Sequence, residues 1–258
     1  MLPQLHEKYS HPSLITPAKW LEYNRQKGLL PTISAPKAII FCSHGRFLET
    51  ILQKYKHKSY EGCFKKVFLL DDFPSLAIAY LGTGAPAAAH QMEALVAWGA
   101  TRFVCIGTAG TLHDKVNIGD IVLFEKAIRD EGTSYHYMEA SKYIHAPRRM
   151  TNLLTDLLKQ TNTSHHIGST WTTDGFYRQT SLEIQHFQQE GVLAVEMETA
   201  ALFAVAHVHQ IDLGAMVVIS DSHTQMEWEP HLEDEKVENS LYSLFETALK
   251  AATSDLLG

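Results

Sequence analysis

The sequence lacks a long apolar run, an excess of positive charge and a secretion signal. No stretch approaches the ~18 consecutive apolar residues of a membrane span. The 258 residues carry 22 Lys and Arg against 29 Asp and Glu, a net charge of −7, which leaves no basic face for a nucleic-acid backbone. The opening MLPQLHEKYSHPS has no basic segment followed by an apolar one. We therefore expect a cytoplasmic protein that binds neither membranes nor nucleic acid.

Several motifs of metal and cofactor chemistry are also missing. The three cysteines, Cys42, Cys63 and Cys105, form no CxxC pair, which favours reduced thiols in a cytosolic protein. There is no HExxH, and the histidines have no acidic partners at ligand spacing, so we expect no metal site. The Walker, GxGxxG and GxSxG patterns are absent, which disfavours a nucleotide triphosphatase, a dinucleotide enzyme and a serine hydrolase.

What the sequence does contain is an alternation of short β-branched runs and segments of helical period. Strands are predicted at Ala38–Cys42, Val67–Leu70, Leu76–Leu81, Phe103–Gly107, Ile121–Phe124 and Met216–Ser220. Helices are predicted at Arg46–Tyr55, Pro86–Trp98, Met150–Gln160, Leu182–Gln189, Glu196–Gln210 and Val237–Leu257. Continuous apolar strands between helices indicate a sheet buried on both faces, and hence an α/β domain.

The chain shows no repeat and no flexible linker, which predicts a single domain. Residues 1–36 are punctuated by prolines, and we expect a leader that packs on the domain formed by residues 37–258. One helix is predicted in this leader from Pro17 to Lys27, because proline suits a first turn and Gly28 a stop.

Two predicted loops are rich in small residues. GTGAP at 82–86 leads from a strand into a helix, and GTAGT at 107–111 follows the next strand. Backbone N–H groups at such a turn can hold an anion or a hydroxyl group, and the same pattern also suits an ordinary strand-to-helix connection. In α/β folds ligands collect beyond the carboxyl ends of strands, which is where both segments are predicted.

Acidic and aromatic residues occupy comparable positions. Glu196 and Glu198 open a predicted helix, where they either favour the helix dipole or hold a diol. Asp221 follows an apolar strand and is either a cap or a pocket acid whose pKa is raised by burial. Phe176 is either a core residue or a stacking face for a planar base.

These segments together resemble the nucleoside phosphorylase family, which includes hexameric purine nucleoside phosphorylase and uridine phosphorylase. The resemblance runs from about residue 38 to residue 249. It is carried by six segments in one order: GTGAP at 82–86, IGTAGTL with VNIGDIVL at 106–123, AIRDEGTSYHY at 127–137, TTDGFY at 172–177, VEMETAALFAVA at 195–206 and VVISDSH at 217–223.

The resemblance implies a fold, an assembly and a reaction. The fold is a three-layer αβα sandwich around a twisted mixed sheet, in dimers that stack into a hexamer. The reaction is phosphorolytic cleavage of the N-glycosidic bond of a nucleoside, here most similar to the purine branch. The partners are then small molecules, a nucleoside and phosphate as co-substrate, with no other cofactor.

The resemblance also assigns roles to residues. Glu198 would bind the ribose hydroxyls, Phe176 would stack on the base, and Asp221 would be the acid that assists departure of the base. The full substrate set is Phe176, Val195, Glu196, Met197, Glu198, Thr108, Ala109 and Gly110. The phosphate set is Gly45, Arg46, Gly84 and Thr108.

The phosphate site departs from the family pattern. The segment CSHGR at 42–46 keeps only Arg46 of a Gly-Asp-Pro-x-Arg loop, and Cys105 stands where phosphorylases carry a second arginine. Arg102 lies three residues earlier on the same strand and would face the opposite side. Two alternatives therefore stay open: a nucleosidase that uses water, for which neither His44 nor Glu49 is a clear match to the activating glutamate, and a nucleoside-binding homologue without turnover.

Overall fold

The computed structural model describes residues 5–62, 65–161 and 163–254. These residues form seven α-helices, α1 Pro17–Gln26, α2 Gly45–Lys54, α3 Ala85–Trp98, α4 Arg148–Leu158, α5 Ser181–Gln189, α6 Thr199–His209 and α7 Glu235–Ala252. They also form eleven strands, β1 Ala38–Cys42, β2 His57–Gly62, β3 Lys65–Leu70, β4 Leu76–Tyr80, β5 Arg102–Thr111, β6 Ile121–Asp130, β7 Tyr143–His145, β8 His165–Thr173, β9 Ala194–Glu196, β10 Asp212–Ser222 and β11 Glu229–Pro230. Cys63 and the predicted last turn of the C-terminal helix lie outside the described residues.

The strands form one mixed sheet. Its order is β11-β10-β6-β8-β9-β5-β1-β4-β3-β2, with β7 paired to β6. The strands β4, β1, β5 and β10 run parallel to one another, whereas β2 and β3 join the edge antiparallel. The predicted mixed α/β sheet is therefore confirmed.

Part of the sheet closes on itself. Strand β10 pairs with both β6 and β5, so β5, β10, β6, β8 and β9 form a closed circuit. Two register shifts accompany the closure, one after Ile219 in β10 and one after Phe124 in β6. Bulges of this kind bend a strand and increase its twist, which is how a sheet turns through such a circuit.

Two apolar cores flank the sheet because neighbouring residues of a strand point to opposite faces. In β1, Ile39 and Phe41 join the core formed with α3 and α6. Ala38 and Ile40 join the core formed with α2, α4 and α7. Helices thus cover both faces, as a three-layer architecture requires.

The leader contacts the α3 side. Thr16 caps α1 by accepting from the amide of Lys19, and Leu21 is buried in the core of that side. Further upstream, the hydroxyl of Tyr9 donates to the carbonyl of Tyr135 at 2.6 Å. Among the described residues, no helix is both long enough and apolar enough to cross a bilayer.

Several predicted boundaries are wrong: β6 extends to Asp130 rather than Phe124, β10 begins at Asp212 rather than Met216, and two further differences lie near the carboxyl ends of strands. The segment at 107–111 is strand rather than loop, because β5 continues to Thr111 beside β9 and β10. The helix predicted from Glu196 begins at Thr199, and residues 194–196 form the short strand β9. Cys42 and Cys105 are buried and unpaired, as predicted.

Candidate active site

A cavity of about 200 Å³ opens where several strands end. Its walls are formed by residues 108–110 of β5, residues 195–198 around the start of α6, and residues 220–223 at and directly after the end of β10. Strand β5 holds the two acidic walls in register, because Gly110 pairs with Val195 on one side and with Asp221 on the other. The complete described lining is Ser43, Thr83, Thr108, Ala109, Gly110, Phe176, Gln179, Val195, Glu196, Met197, Glu198, Ser220, Asp221, His223, Trp228 and Leu232.

Glu198 stands at the N-cap of α6. Its Oε1 accepts a hydrogen bond of 2.6 Å from the amide of Gly84, whose φ of +95° is readily adopted only by glycine. The pKa of Glu198 is raised to about 7, mainly because the carboxyl group is buried and secondly because Glu196 is negatively charged. The carboxyl group therefore changes charge near neutrality.

Glu196 is more enclosed and is held by the protein itself. Its Oε2 accepts from the amides of Glu198 and Thr199, each at 2.7 Å, and its Oε1 accepts from the hydroxyl of Thr172 at 2.5 Å. With both oxygens engaged, Glu196 fixes the loop that carries Glu198. It has little capacity left for the hydroxyl groups of a ligand.

Asp221 is surrounded by donors. The hydroxyl of Ser220 donates to Oδ1 at 2.8 Å, the indole of Trp228 donates to Oδ2 at 3.0 Å, and Nε2 of His223 lies 3.2 Å from Oδ2. Burial alone would raise the pKa of Asp221, but the contacts from His223, Ser220 and Trp228 together lower it below its ordinary value. The predicted rise in the pKa of Asp221 is therefore wrong.

An aromatic residue stands at the mouth of the cavity. Phe176 is 51% exposed and packs edge-on against Tyr177, with ring centroids 4.9 Å apart. An adjoining recess of about 590 Å³ shares Thr83, Phe176 and Met197 with the cavity. A planar group can thus reach the ring of Phe176 from the cavity.

Comparison with known proteins identifies the family. Residues 38–252 match the phosphorylase superfamily. The chain belongs to this superfamily. It is 31% identical over 151 residues to guanosine phosphorylase of Halorubrum lacusprofundi, covering 57% of this chain and 61% of the relative. It is 27% identical over 157 residues to uridine phosphorylase of Thermococcus kodakarensis, covering 56% and 57%.

The matches to these two curated relatives span about six-tenths of their lengths. The chain shares its fold with the solved structure of purine nucleoside phosphorylase from Toxoplasma gondii in complex with immucillin-H. The TM-score is 0.76 at 17% sequence identity, and the match covers 85% of this chain and 91% of that one. The names of the relatives include both purine and pyrimidine nucleosides.

In this phosphorylase-superfamily chain, most of the predicted substrate residues lie together. Phe176, Val195, Glu196, Met197, Glu198, Thr108, Ala109, Gly110 and Asp221 all line the one cavity. Gly84 lies beside it, with its amide bonded to Glu198.

The structure does not bring Arg46 and Gly45 to the cavity. The guanidinium of Arg46 pairs with Glu233 at 2.7 Å, with both side chains 74% exposed, and lines a separate recess of about 110 Å³. Arg102 is also remote, since its guanidinium donates to the carbonyls of Ala252 and Ser254. Neither arginine reaches the position left by Cys105.

Sequence reasoning missed several polar residues of the lining. They are Ser43, Thr83, Gln179, Ser220, His223 and Trp228. Two of these could have been found, because His223 and Trp228 lie close to Asp221 along the chain. Ser220 directly precedes Asp221 and could have been found in the same way, whereas Ser43, Thr83 and Gln179 give no signal in the sequence, since they meet only when β1, the loop after β4 and the segment after β8 come together.

Proposed function

We propose that this protein cleaves the N-glycosidic bond of purine nucleosides with phosphate, releasing the free base and ribose 1-phosphate. The observation that carries this proposal is the single cavity shared by Phe176, Glu198 and Asp221. Breaking the bond leaves positive charge on the sugar and negative charge on the base. A carboxylate beside the sugar offsets the first charge, and a proton delivered to the base removes the second.

Gln179 offers an acceptor to the edge of a bound base. Oε1 of Gln179 is buried in the cavity lining, and no donor among the described residues pairs with it. A buried acceptor without a donor is costly, and an N–H group on the edge of a bound base would relieve that cost. The N1–H of inosine or guanosine, the N6 amino group of adenosine and the N3–H of uridine are all groups of this kind.

Phosphate would bind where hydroxyl groups and a cation converge. Ser43, Thr83 and Thr108 bring hydroxyl groups to the cavity lining. The ammonium group of Lys65 packs against Gly82, the residue that precedes Thr83. A Cβ atom added to Gly82 would stand 2.7 Å from Nζ of Lys65. We propose that this ammonium group supplies the positive charge that Cys105 does not.

Replacing Lys65 by methionine is expected to raise the KM for phosphate about tenfold, because a charge-assisted contact is worth about 1.5–3 kcal/mol. The KM for inosine should change little. Steady-state kinetics with varied phosphate measure both constants, and Lys66→Met is the matched control on the same strand. An unchanged phosphate KM in Lys65→Met would remove this residue from the proposal.

One observation favours a second candidate, hydrolysis. The described lining contains the carboxyl groups of Glu196, Glu198 and Asp221, and it contains neither lysine nor arginine. A cavity of this charge receives water more readily than a phosphate anion. The competing function is therefore a nucleosidase with the same substrate.

Base release measured with and without phosphate tests the proposed function. Inosine, guanosine, adenosine and uridine are each incubated with the protein, and the free base and sugar products are separated by chromatography. We expect release of hypoxanthine and guanine that depends on phosphate, together with ribose 1-phosphate. Release at equal rate without phosphate would establish the hydrolase, and no release from any nucleoside would leave a binding protein.

We further propose that the protein acts as a homo-oligomer. Phe176 and Tyr177 are 51% and 92% exposed at the mouth of the cavity, and apolar rings in such positions are commonly covered by a second copy. Sedimentation velocity measures the assembly, and a monomer at assay concentration would contradict it.

A further inference from the structure

The donors around Asp221 pose a problem for its assigned role. A carboxyl group that protonates a leaving base must itself carry a proton at that moment. Three donors, from Ser220, Trp228 and His223, instead surround its two oxygens and favour the ionised form. Asp221 alone therefore has no proton to give near neutral pH.

His223 is the neighbour that can carry one. Its side chain is 12% exposed, it lines the same cavity, and its Nε2 lies 3.2 Å from Oδ2 of Asp221. Imidazole is the side chain that gains and loses a proton between about pH 5 and 8. Ser220 and Trp228 contact the same carboxylate, but their donor groups do not titrate in this range.

The histidine and the aspartate are held together by the sheet. Both side chains lie against Gly110 of β5, where an added Cβ would stand 2.6 Å from Nε2 of His223 and 2.8 Å from Oδ2 of Asp221. Glycine at this position leaves the space that the pair occupies. The amide of His223 is also fixed, since it donates to the carbonyl of Thr111.

The charged groups around the pair are all acids. Asp221 contacts His223 from the end of β10, and Glu196 and Glu198 line the cavity from β9 and the start of α6. No lysine or arginine stands among the described lining residues. A protonated imidazole is therefore the positive charge that the lining itself can provide.

We propose that His223 supplies, through Asp221, the proton that the departing purine takes. This inference rests on the proposed function. As the bond between C1′ and N9 breaks, its electron pair passes to the purine. Asp221 takes the proton from Nε2 of His223 and passes it to N7, while a phosphate oxygen forms the new bond to C1′. The step ends with a neutral imidazole, a carboxylate and a neutral base, and His223 acts as a positioning residue that does not touch the substrate.

A substrate that needs no proton separates this role from a structural one. The base of 7-methylinosine already carries a positive charge on its imidazole ring, so it leaves without protonation at N7. We expect His223→Gln to lower kcat on inosine about 10²-fold, within the range for loss of a proton donor, and to lower kcat on 7-methylinosine less than about threefold. Both substrates are compared at one slightly acidic pH, where the methylated base keeps its charge.

The pH profile on inosine gives a second readout. In the wild-type protein kcat/KM should fall at alkaline pH as the pair loses its proton, and this fall should be absent in His223→Gln. Trp228→Phe is the matched control, because it removes a donor from the same oxygen of Asp221 but no titrating group. We expect this variant to keep the alkaline fall and to affect both nucleosides alike.

The outcomes are distinguishable. Equal losses on inosine and 7-methylinosine in His223→Gln, or a retained alkaline fall, would overturn the inference and leave the proposed function standing. Wild-type protein that releases no base from inosine would overturn both. Circular dichroism checks folding, and His223→Asn repeats the comparison if the glutamine variant does not fold.

Discussion

Replacing Asp221 by asparagine should lower kcat on inosine by about 10²–10⁴-fold, the usual contribution of general acid catalysis. An amide cannot pass a proton from His223 to the purine, so the base would have to leave as an anion. Binding of the product hypoxanthine should weaken less than turnover, since asparagine can still hydrogen-bond to the base. Stopped-assay kinetics and calorimetric titration of hypoxanthine measure the two effects.

The control for this substitution lies on the same strand. Asp212 begins β10 at the end opposite to the cavity, where its carboxylate lies 3.6 Å from the guanidinium of Arg149. Asp212→Asn therefore makes the same chemical change far from the site, and we expect a rate close to that of the wild type. Full activity of Asp221→Asn on inosine would show that the acid has been assigned wrongly.

Replacing Glu198 by glutamine should reduce kcat/KM for inosine about 10–100-fold, with much of the loss in KM. In the proposed function the ionised carboxylate would accept hydrogen bonds from the ribose hydroxyls, and a charge-assisted bond of this kind is worth about 1.5–3 kcal/mol. Glu246→Gln, on the exposed side of α7, is the matched control and should behave as the wild type. A kcat/KM unchanged in Glu198→Gln would contradict a role in holding the sugar.

The same residue sets the acidic side of the pH profile. Because burial and the charge of Glu196 raise the pKa of Glu198 to about 7, about one-tenth of the carboxyl groups are ionised at pH 6 and about nine-tenths at pH 8. The kcat/KM for inosine should therefore rise with pH through about 7, and loss of the proton from the His223–Asp221 pair limits this rise on the alkaline side. In Glu198→Gln the rise should be lost.

Glu198 also links stability to pH, and the sign follows from the raised pKa. The folded protein binds this proton more tightly than the unfolded chain does. The resulting stability is fully present below the ordinary glutamate pKa of 4.5 and is lost as the pH rises through about 7. A nucleoside that binds the ionised form would offset part of that loss.

The core strands could be predicted because their pattern is simple. Residues 38–42 are AIIFC, all buried, and a run of this length bounded by polar residues indicates a strand covered on both faces. Strand β8 could not be found in this way. Its sequence is HHIGSTWTT, and its threonines are buried because Thr170 and Thr172 donate to the carboxylate of Glu196.

The chemistry of the site was less predictable than its location. The sequence places an acid after an apolar strand, but the pKa of Asp221 depends on Ser220, His223 and Trp228, and their contacts exist only in the folded protein. Arg46 is a similar case. Its position in the sequence suggests a phosphate ligand, yet an exposed ion pair with Glu233 holds it over another recess.

Gly110 fixes the distance between the two acidic walls of the cavity, because it pairs with one residue of each wall. Val195 and Asp221 are its partners across the sheet, and neighbouring strands lie about 4.8 Å apart, so the two acidic walls are separated by about two strand spacings. A ladder of main-chain hydrogen bonds sets this width, and no single side chain can alter it. A change in the base accepted by the proposed site would therefore have to come from other parts of the rim, in segments such as residues 174–179 and 224–229, while the distance between the two acidic walls stays constant.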